Sequence, residues 1–197
     1  MTLRSVRKNE THDRILGSAS AIARREGLRA ASVPRVMRGA GLTVGGFYAH
    51  FDSKTAMDTE IIRTMLGAFP PRWMSGLEDS AGIDWVARAV KRYLSPAHRD
   101  DLDGCPYPAV LSEIAMAPPA ARQAFTDALS RRVAAFEANV PGIEGVSGRE
   151  RALATIALTV GGLLLARATA GSEMSGDILD ACRKWALPEA DVKKPKR

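Results

Sequence analysis

The chain has 197 residues, with 28 lysines and arginines against 22 aspartates and glutamates and a formal charge of +6, a length that fits one domain or two small ones sharing a core. Hydrophobic residues make up 46% and charged residues 25%, ordinary globular values that exclude wholesale disorder. Two cysteines, Cys105 and Cys182, exclude a disulfide scaffold and suit a reducing compartment. The opening residues lack the apolar run of a signal peptide. The longest uncharged apolar stretch, 152–166, is shorter than the roughly 20 residues that cross a bilayer. A cytoplasmic protein with no membrane partner is expected.

The apolar spacing is helical throughout, and no strand-like alternation stands out. Ile15, Ala19, Ile22 and Ala23 form the face of a first helix closed by Gly27. Ser32 is a suitable N-cap for a short second helix ending near Ala40–Gly41, with Pro34 in its first turn, where proline is least harmful. Thr43 can cap a third short helix to about His50. Asp52 or Ser53 can cap a fourth, with Met57, Ile61, Met65 and Phe69 inside, ended by Pro70-Pro71. Trp85, Val86, Ala89, Val90, Tyr93 and Leu94 make a fifth helical face stopped by Pro96. Val110, Ile114 and Ala115 lie in a sixth, opened by Cys105. Phe125, Ala128, Leu129, Val133 and Phe136 lie in a seventh. Residues 149–170 make a long apolar eighth, and Ile178, Leu179, Cys182 and Trp185 lie on a ninth. The expectation is an all-α protein of about nine helices.

The charge is concentrated in the first quarter of the chain. Residues 1–56 hold ten basic and four acidic residues, an excess equal to the whole net charge, whereas residues 57–197 balance, the tail 193–197 carrying +4 and the body 57–192 −4. Such an asymmetry suggests a polyanion-binding segment attached to a mildly acidic body, or else an idle basic surface.

Two short helices joined by Gly41-Leu42 have the spacing of a helix-turn-helix. Val33, Val36 and Met37 can pack the second helix on the first, and Leu42, Phe47 and Phe51 can seat the third from beneath. Thr43, Val44, Gly45, Gly46, Tyr48 and His50 then remain exposed. Thr43 stands at a helix N-terminus, which attracts phosphate. Two glycines in one short helix destabilise it by roughly 1 kcal/mol each, and close approach of backbone to DNA is a reason to keep them. Tyr48 and His50 can donate to phosphate oxygens. Lys54 opposes the dipole of the fourth helix unless an anion binds beside it.

These residues resemble a known family. Ile15-Leu16, Gly27, Ala40-Gly41-Leu42-Thr43 and Tyr48-Ala49-His50-Phe51-Asp52-Ser53-Lys54 look like the N-terminal domain of the TetR-type bacterial transcriptional regulators, over about residues 9–57. Met37 and Pro34 depart from the usual pattern of the second helix. The resemblance implies an N-terminal three-helix DNA-binding domain at 8–68, an effector-binding and dimerisation domain at 69–188, and a basic tail at 189–197. It implies that Tyr48, His50 and Lys54 grip phosphates and that Thr43, Val44, Gly45 and Gly46 face bases. Arg35, near the start of the second helix, completes the expected DNA-facing set.

The last two helices also resemble those that form a four-helix dimer interface in such regulators. The physics agrees, because Leu153, Ile156, Ala157, Val160, Leu163 and Leu164 cover too much of the eighth helix for one-sided burial. Leu153, Ile156, Ala157, Val160, Gly161, Leu164, Ile178, Cys182 and Trp185 are the expected interface, with a central helix of a monomer core as the alternative. An effector pocket is expected among Met65, Phe69, Trp73, Trp85, Tyr93, Cys105, Tyr107, Met116 and Phe125, since Trp and Met line adaptable apolar cavities and ordinary cores alike. Cys105 is either a buried small side chain or, if its thiol is reactive, a sensor.

The reading is a homodimeric, ligand-responsive transcriptional regulator, a repressor that binds a palindromic double-stranded DNA operator and is released by a bulky, mostly apolar small molecule. It needs no metal and no cofactor. An enzyme is disfavoured because His12, His50 and His98 sit in segments with non-catalytic roles, and neither a nucleophile elbow nor a phosphate loop occurs. A nonspecific architectural DNA binder and a helical interaction module are the remaining rivals.

Overall fold

The computed structural model describes residues 3–67, 74–101 and 103–187. Ten helices are present among them: α1 (Leu3–Glu26), α2 (Val33–Gly39), a 3-10 helix (Val44–Ala49), α3 (Lys54–Gly67), α4 (Gly82–Tyr93), α5 (Pro96–Asp100), α6 (Tyr107–Ala115), α7 (Pro119–Glu137), α8 (Gly148–Ala168) and α9 (Glu173–Ala186). The fold is all-α, and among the described residues β-pairing is confined to one bridge between Ile143 and Val146. The ends of helices four and nine marked by Pro70-Pro71 and Pro188 lie outside the described residues, as do Phe69, Trp73 and the tail 189–197. The chain divides into two compact units. One holds the segment up to Ala68 together with Cys105–Leu129, and the other holds Phe69–Gly104 together with the chain from Ser130.

In the first unit α1 is the central element, packed against α2, α3 and α6. Its apolar positions Ile15, Leu16, Ala19 and Ala23 are buried with Val36, Met37, Phe47, Met57, Ile61, Ile62 and Val110. Gly27 ends α1 with φ +89, and a Cβ there would also lie 2.6 Å from Oε1 of Glu113 and 3.1 Å from the carbonyl oxygen of Ala109. Conformation and space both demand glycine. Ser32 occupies the N-cap position of α2 in extended conformation, yet its side chain makes no capping bond, so Pro34 rather than Ser32 defines that helix start. Ser53, not Asp52, caps α3: its Oγ accepts from the Ala56 amide at 3.0 Å. The sixth helix begins at Tyr107 with Pro106 at the cap position, two residues past Cys105.

In the second unit Val86, Ala89, Val90 and Tyr93 of α4 are buried with Ala152, Ile156, Leu163 and Ala166 of α8 and Leu179 of α9. Pro96 does more than end α4. It opens the short α5, whose N-cap Ser95 accepts from the His98 amide at 3.1 Å. The Arg167 guanidinium closes α5 by donating to the carbonyls of His98, Arg99 and Asp101 at 2.8–3.0 Å, a cation on the carbonyl end of a helix. Ser147 and Glu150 form a reciprocal capping box at the start of α8. Along α8, Gly162 lets α9 approach: a Cβ there would lie 2.6 Å from Sγ of Cys182 and 3.3 Å from Leu94.

Candidate nucleic-acid interface

The turn between α2 and the 3-10 helix is built on Gly41, whose φ of +67 lies in the left-handed region that favours glycine. The Gly41 and Leu42 amides donate to the carbonyls of Arg38 and Met37 at 3.0 and 2.8 Å, which closes the end of α2. Two side chains of α1 complete that closure: Arg14 Nη2 donates to the Ala40 carbonyl at 2.5 Å and Ser18 Oγ to the Val36 carbonyl at 3.0 Å. Helix α2 is thus fixed at its exposed end by the helix it packs on.

Phe47 is fully buried and anchors the next element. Its ring stacks on Phe51 at 5.4 Å and meets Tyr48 edge-on at 5.3 Å. With Phe47 inside, the adjacent positions turn outward: Thr43, Val44, Gly45 and Tyr48 are exposed, Tyr48 at 72% of its surface, and Gly46 and His50 are half-buried. The third helix is of 3-10 rather than α form, as suits a short segment with two adjacent glycines that disfavour a regular α-turn.

The two glycines are required within the fold neither by conformation nor by space. Neither has positive φ. A Cβ at Gly45 would meet nothing within 4 Å, and one at Gly46 only Cε of Met37 at an ordinary 3.7 Å. Both positions could therefore carry a Cβ as far as conformation and space within the chain are concerned.

The remaining expected contacts are placed differently. The His50 ring lies 6.1 Å from that of His12, which stacks on Phe51 at 4.6 Å and bonds Glu60 through Nε2 at 2.7 Å. Burial, then the nearby His12 and Lys8, push the His50 pKa down, and its Nδ1 has no hydrogen-bond partner among the described residues. Arg35 forms a two-pronged pair with Glu26 at 2.5 and 2.7 Å. Each raises or lowers the other's pKa away from neutrality, but the pair is near half-exposed and stabilises little. Lys54 Nζ donates to the Leu28 carbonyl at 3.1 Å and to Asp58 Oδ1. Burial raises the Asp58 carboxyl above its ordinary value, Lys54 opposes that shift, and Glu113 adds to it. The Lys54–Asp58 pair was legible as an i,i+4 spacing. Glu26 and Glu113 carry no local signal and are found only in three dimensions.

A second surface lies on α8 and α9. Leu153, Ala157, Leu164 and Trp185 of the expected interface are exposed, and Val160, Gly161, Ile178 and Cys182 are half-exposed. Spacings of three and four place each set on one helical stripe. A Cβ at Gly161 would meet nothing within 4 Å, so this glycine faces outward while Gly162 faces its own chain. Ile156, three residues from Leu153 and four from Val160, is buried within the single chain, as is Thr159, so it lines the inner edge of that stripe.

The expected effector residues divide between the two units. Met65, Cys105, Tyr107, Met116 and Phe125 lie in the first unit, and Trp85 and Tyr93 in the second. Tyr107 meets Phe125 edge-on at 5.8 Å, and Met65 and Cys105 are buried. Met116 is 82% exposed, since α6 ends one residue before it. In the second unit a cavity lies among Val90, Tyr93, Arg132, Phe136, Ile156 and Thr159, with room for about one water molecule. Trp85 meets Phe136 of that wall edge-on at 5.1 Å. Arg132, a charged residue of α7, is 7% exposed.

Residues 15–61 match the family model of the bacterial regulatory proteins of the tetR family. The chain is similar to the HTH-type transcriptional repressor KstR2 of Rhodococcus jostii (strain RHA1), 30% identical over 95 residues that make up 46% of this chain and 47% of that one. It therefore spans about half the length of that relative. Among solved structures it is similar to the reduced form of NemR from E. coli, with TM-score 0.72 and 17% identity over 88% of this chain and 95% of that one. A TetR transcriptional regulator from Chloroflexus aurantiacus has TM-score 0.76 and 21% identity over 93% and 95%. A transcriptional regulator from Saccharomonospora viridis, solved in complex with choline, has TM-score 0.71 and 20% identity over 90% and 95%. At such identities the likeness is one of fold.

Proposed function

Because residues 15–61 carry the helix-turn-helix of the tetR family of bacterial regulatory proteins, we propose that this chain is a cytoplasmic, ligand-responsive transcriptional repressor, not an enzyme, that binds a palindromic operator as a homodimer. Residues 8–68 are the DNA reader, and 69–188 hold the effector site and the dimer surface. The observation that carries the reading is the exposed surface from Thr43 to Tyr48, where neither space nor a positive φ requires Gly45 and Gly46 to be glycine. A backbone without side chains lets the segment sit close against a groove, with Tyr48 standing beside it to reach a phosphate. Two such readers, one from each protomer, then enter successive major grooves about 34–36 Å apart.

The exposed stripe of α8 and α9 supports dimerisation. Leu153, Leu164, Leu165, Met174 and Trp185 together leave a large apolar surface uncovered in one chain, of the kind that marks a protein interface. Effector binding in the body releases DNA by favouring the dimer shape whose reader spacing does not fit the operator. The effector remains a bulky, mostly apolar small molecule in this proposal.

Selection of bound duplexes from a random pool, followed by footprinting, tests the reading. One palindromic protected site is expected, and Tyr48→Ala should weaken binding to it. Uniform protection along the duplex would instead favour a nonspecific architectural binder, and absence of any salt-dependent shift would remove DNA from the account altogether.

A further inference from the structure

We propose that Lys54 is a positioning residue: it pins the turn between α1 and α2 to α3, and operator binding depends on it through that pin rather than through a phosphate contact. The inference rests on the DNA-binding reading above but concerns a different physical role from the one the resemblance implies for this lysine.

An ammonium group has three donors and no acceptor. Two of those of Lys54 are directed inward, to the Leu28 carbonyl at 3.1 Å and to Asp58. The Lys54 side chain is 33% exposed and that of Asp58 23%. If Lys54 swung out to a phosphate, a mostly covered carboxylate would lose its paired cation while Glu113, the other charge acting on it, is also negative. Stranding a partly buried charge in this way is unfavourable and offsets what a phosphate contact would contribute.

The turn being pinned is held from its other side as well. Gly27, the residue before Leu28, has no room for a Cβ against Glu113 and the Ala109 carbonyl. The Arg29 amide, the residue after, donates to Glu113 Oε2 at 2.9 Å. Residues 27–29 are therefore clamped between Lys54 and Asp58 of α3 and Glu113 of α6. Helix α2 begins four residues after Arg29 and leads directly into the reading surface. Loosening the clamp changes the direction in which α2 leaves α1, and with it the placement of Thr43 to Tyr48.

The test compares Lys54→Met, Asp58→Asn and the double variant in the full-length protein. Operator affinity is measured across salt concentrations, and backbone amide exchange is measured without DNA. The pin predicts that each single change weakens operator binding about tenfold, a coupling of ordinary size for contacting residues. The double variant should be no weaker than either single one, the slope of log affinity on log salt should stay at the wild-type value, and amides of residues 29–40 should exchange faster. A phosphate contact predicts opposite results: Lys54→Met makes the slope shallower by about 0.9, Asp58→Asn tightens binding by freeing the lysine, and exchange stays as in wild type. Those results, or wild-type exchange in both single variants, would overturn the proposal. Should Lys54→Met not fold, Asp58→Asn alone decides, since the two accounts give it opposite signs. Tyr48→Ala serves as the control for the DNA-binding reading. If that reading fails and no duplex is bound, amide exchange still decides the pin.

Discussion

Gly162 and Cys182 occupy the same space from two helices: the Cβ that Gly162 lacks would lie 2.6 Å from Sγ and 3.1 Å from Cβ of Cys182. Its neighbour Gly161 meets nothing within 4 Å. Adjacent glycines of one helix thus serve different surfaces, one inside the chain and one on the stripe assigned to the partner. Gly162→Ala should destabilise the fold by about 1–3 kcal/mol through overpacking, less up to ~1 kcal/mol regained in helix propensity. Gly161→Ala should leave the folded chain as stable or slightly more so, yet weaken self-association. Urea midpoints together with sedimentation at several concentrations separate the two; equal effects of the two changes would contradict the assignment.

Gly45 gives a sharper separation of folding from function. Its Cβ position is empty and its φ is not positive, so Gly45→Ala should keep the thermal midpoint or raise it, by up to ~1 kcal/mol of stability. Operator affinity should nevertheless fall at least tenfold, because the added methyl meets the groove rather than the protein. Unchanged affinity in this variant would mean that the segment does not approach the bases.

Charge placed on the outer stripe should split the dimer. Leu164 is exposed on α8, so Leu164→Glu costs one chain little by itself, but it would bury an unpaired carboxylate in a paired interface. Light scattering should show a monomer with the helical content retained, and operator binding should fall with it. A dimer that persists in Leu164→Glu would place the interface elsewhere.

His98 links stability to pH. It is buried and bonds the Tyr93 carbonyl through Nδ1 at 2.8 Å. Burial lowers its pKa on balance; Arg167 and Arg132 act in the same direction, and the Tyr93 bond and Asp101 oppose it. The unfolded chain titrates near the ordinary 6.5 and so takes up this proton at higher pH than the folded one. Unfolded molecules then bind more protons in that window, and stability falls with acidification. The contribution is complete above about pH 6.5 and is lost as pH drops toward the folded value. In His98→Phe the urea midpoint should therefore vary less between pH 7 and pH 5 than in wild type, whatever its absolute level. An equally steep profile in the variant would assign the pH dependence to other groups.

Most of the fold was legible because helical burial leaves a period in the sequence. Ile15, Ala19 and Ala23 are buried as their spacing predicts, and so are Val86, Ala89, Val90 and Tyr93. The order of apolar and polar residues from Val36 to Phe51 was enough to place Phe47 inside and Tyr48 outside. What escaped was capping and the short helix. Pro96 reads locally as a stop, yet with Ser95 as cap it opens α5, whose carbonyl end is closed by Arg167 some seventy residues away. A 3-10 segment likewise has the same outward residues as a single α-turn, so spacing does not tell them apart.

The sequence by itself determined which residues from Thr43 to Tyr48 turn outward and which helices carry unpartnered apolar faces, because both follow from the order of apolar and polar residues. Only the tertiary structure decided what the charged residues do. Arg35 and Lys54 read alike as cations near a helix start, yet one faces Glu26 at the surface and the other is drawn between Leu28 and Asp58 with Glu113 behind it. A charge has no intrinsic direction along the chain. Its role is set by the nearest opposite charge and by how much water separates them, and both depend on residues that come together only when the chain folds.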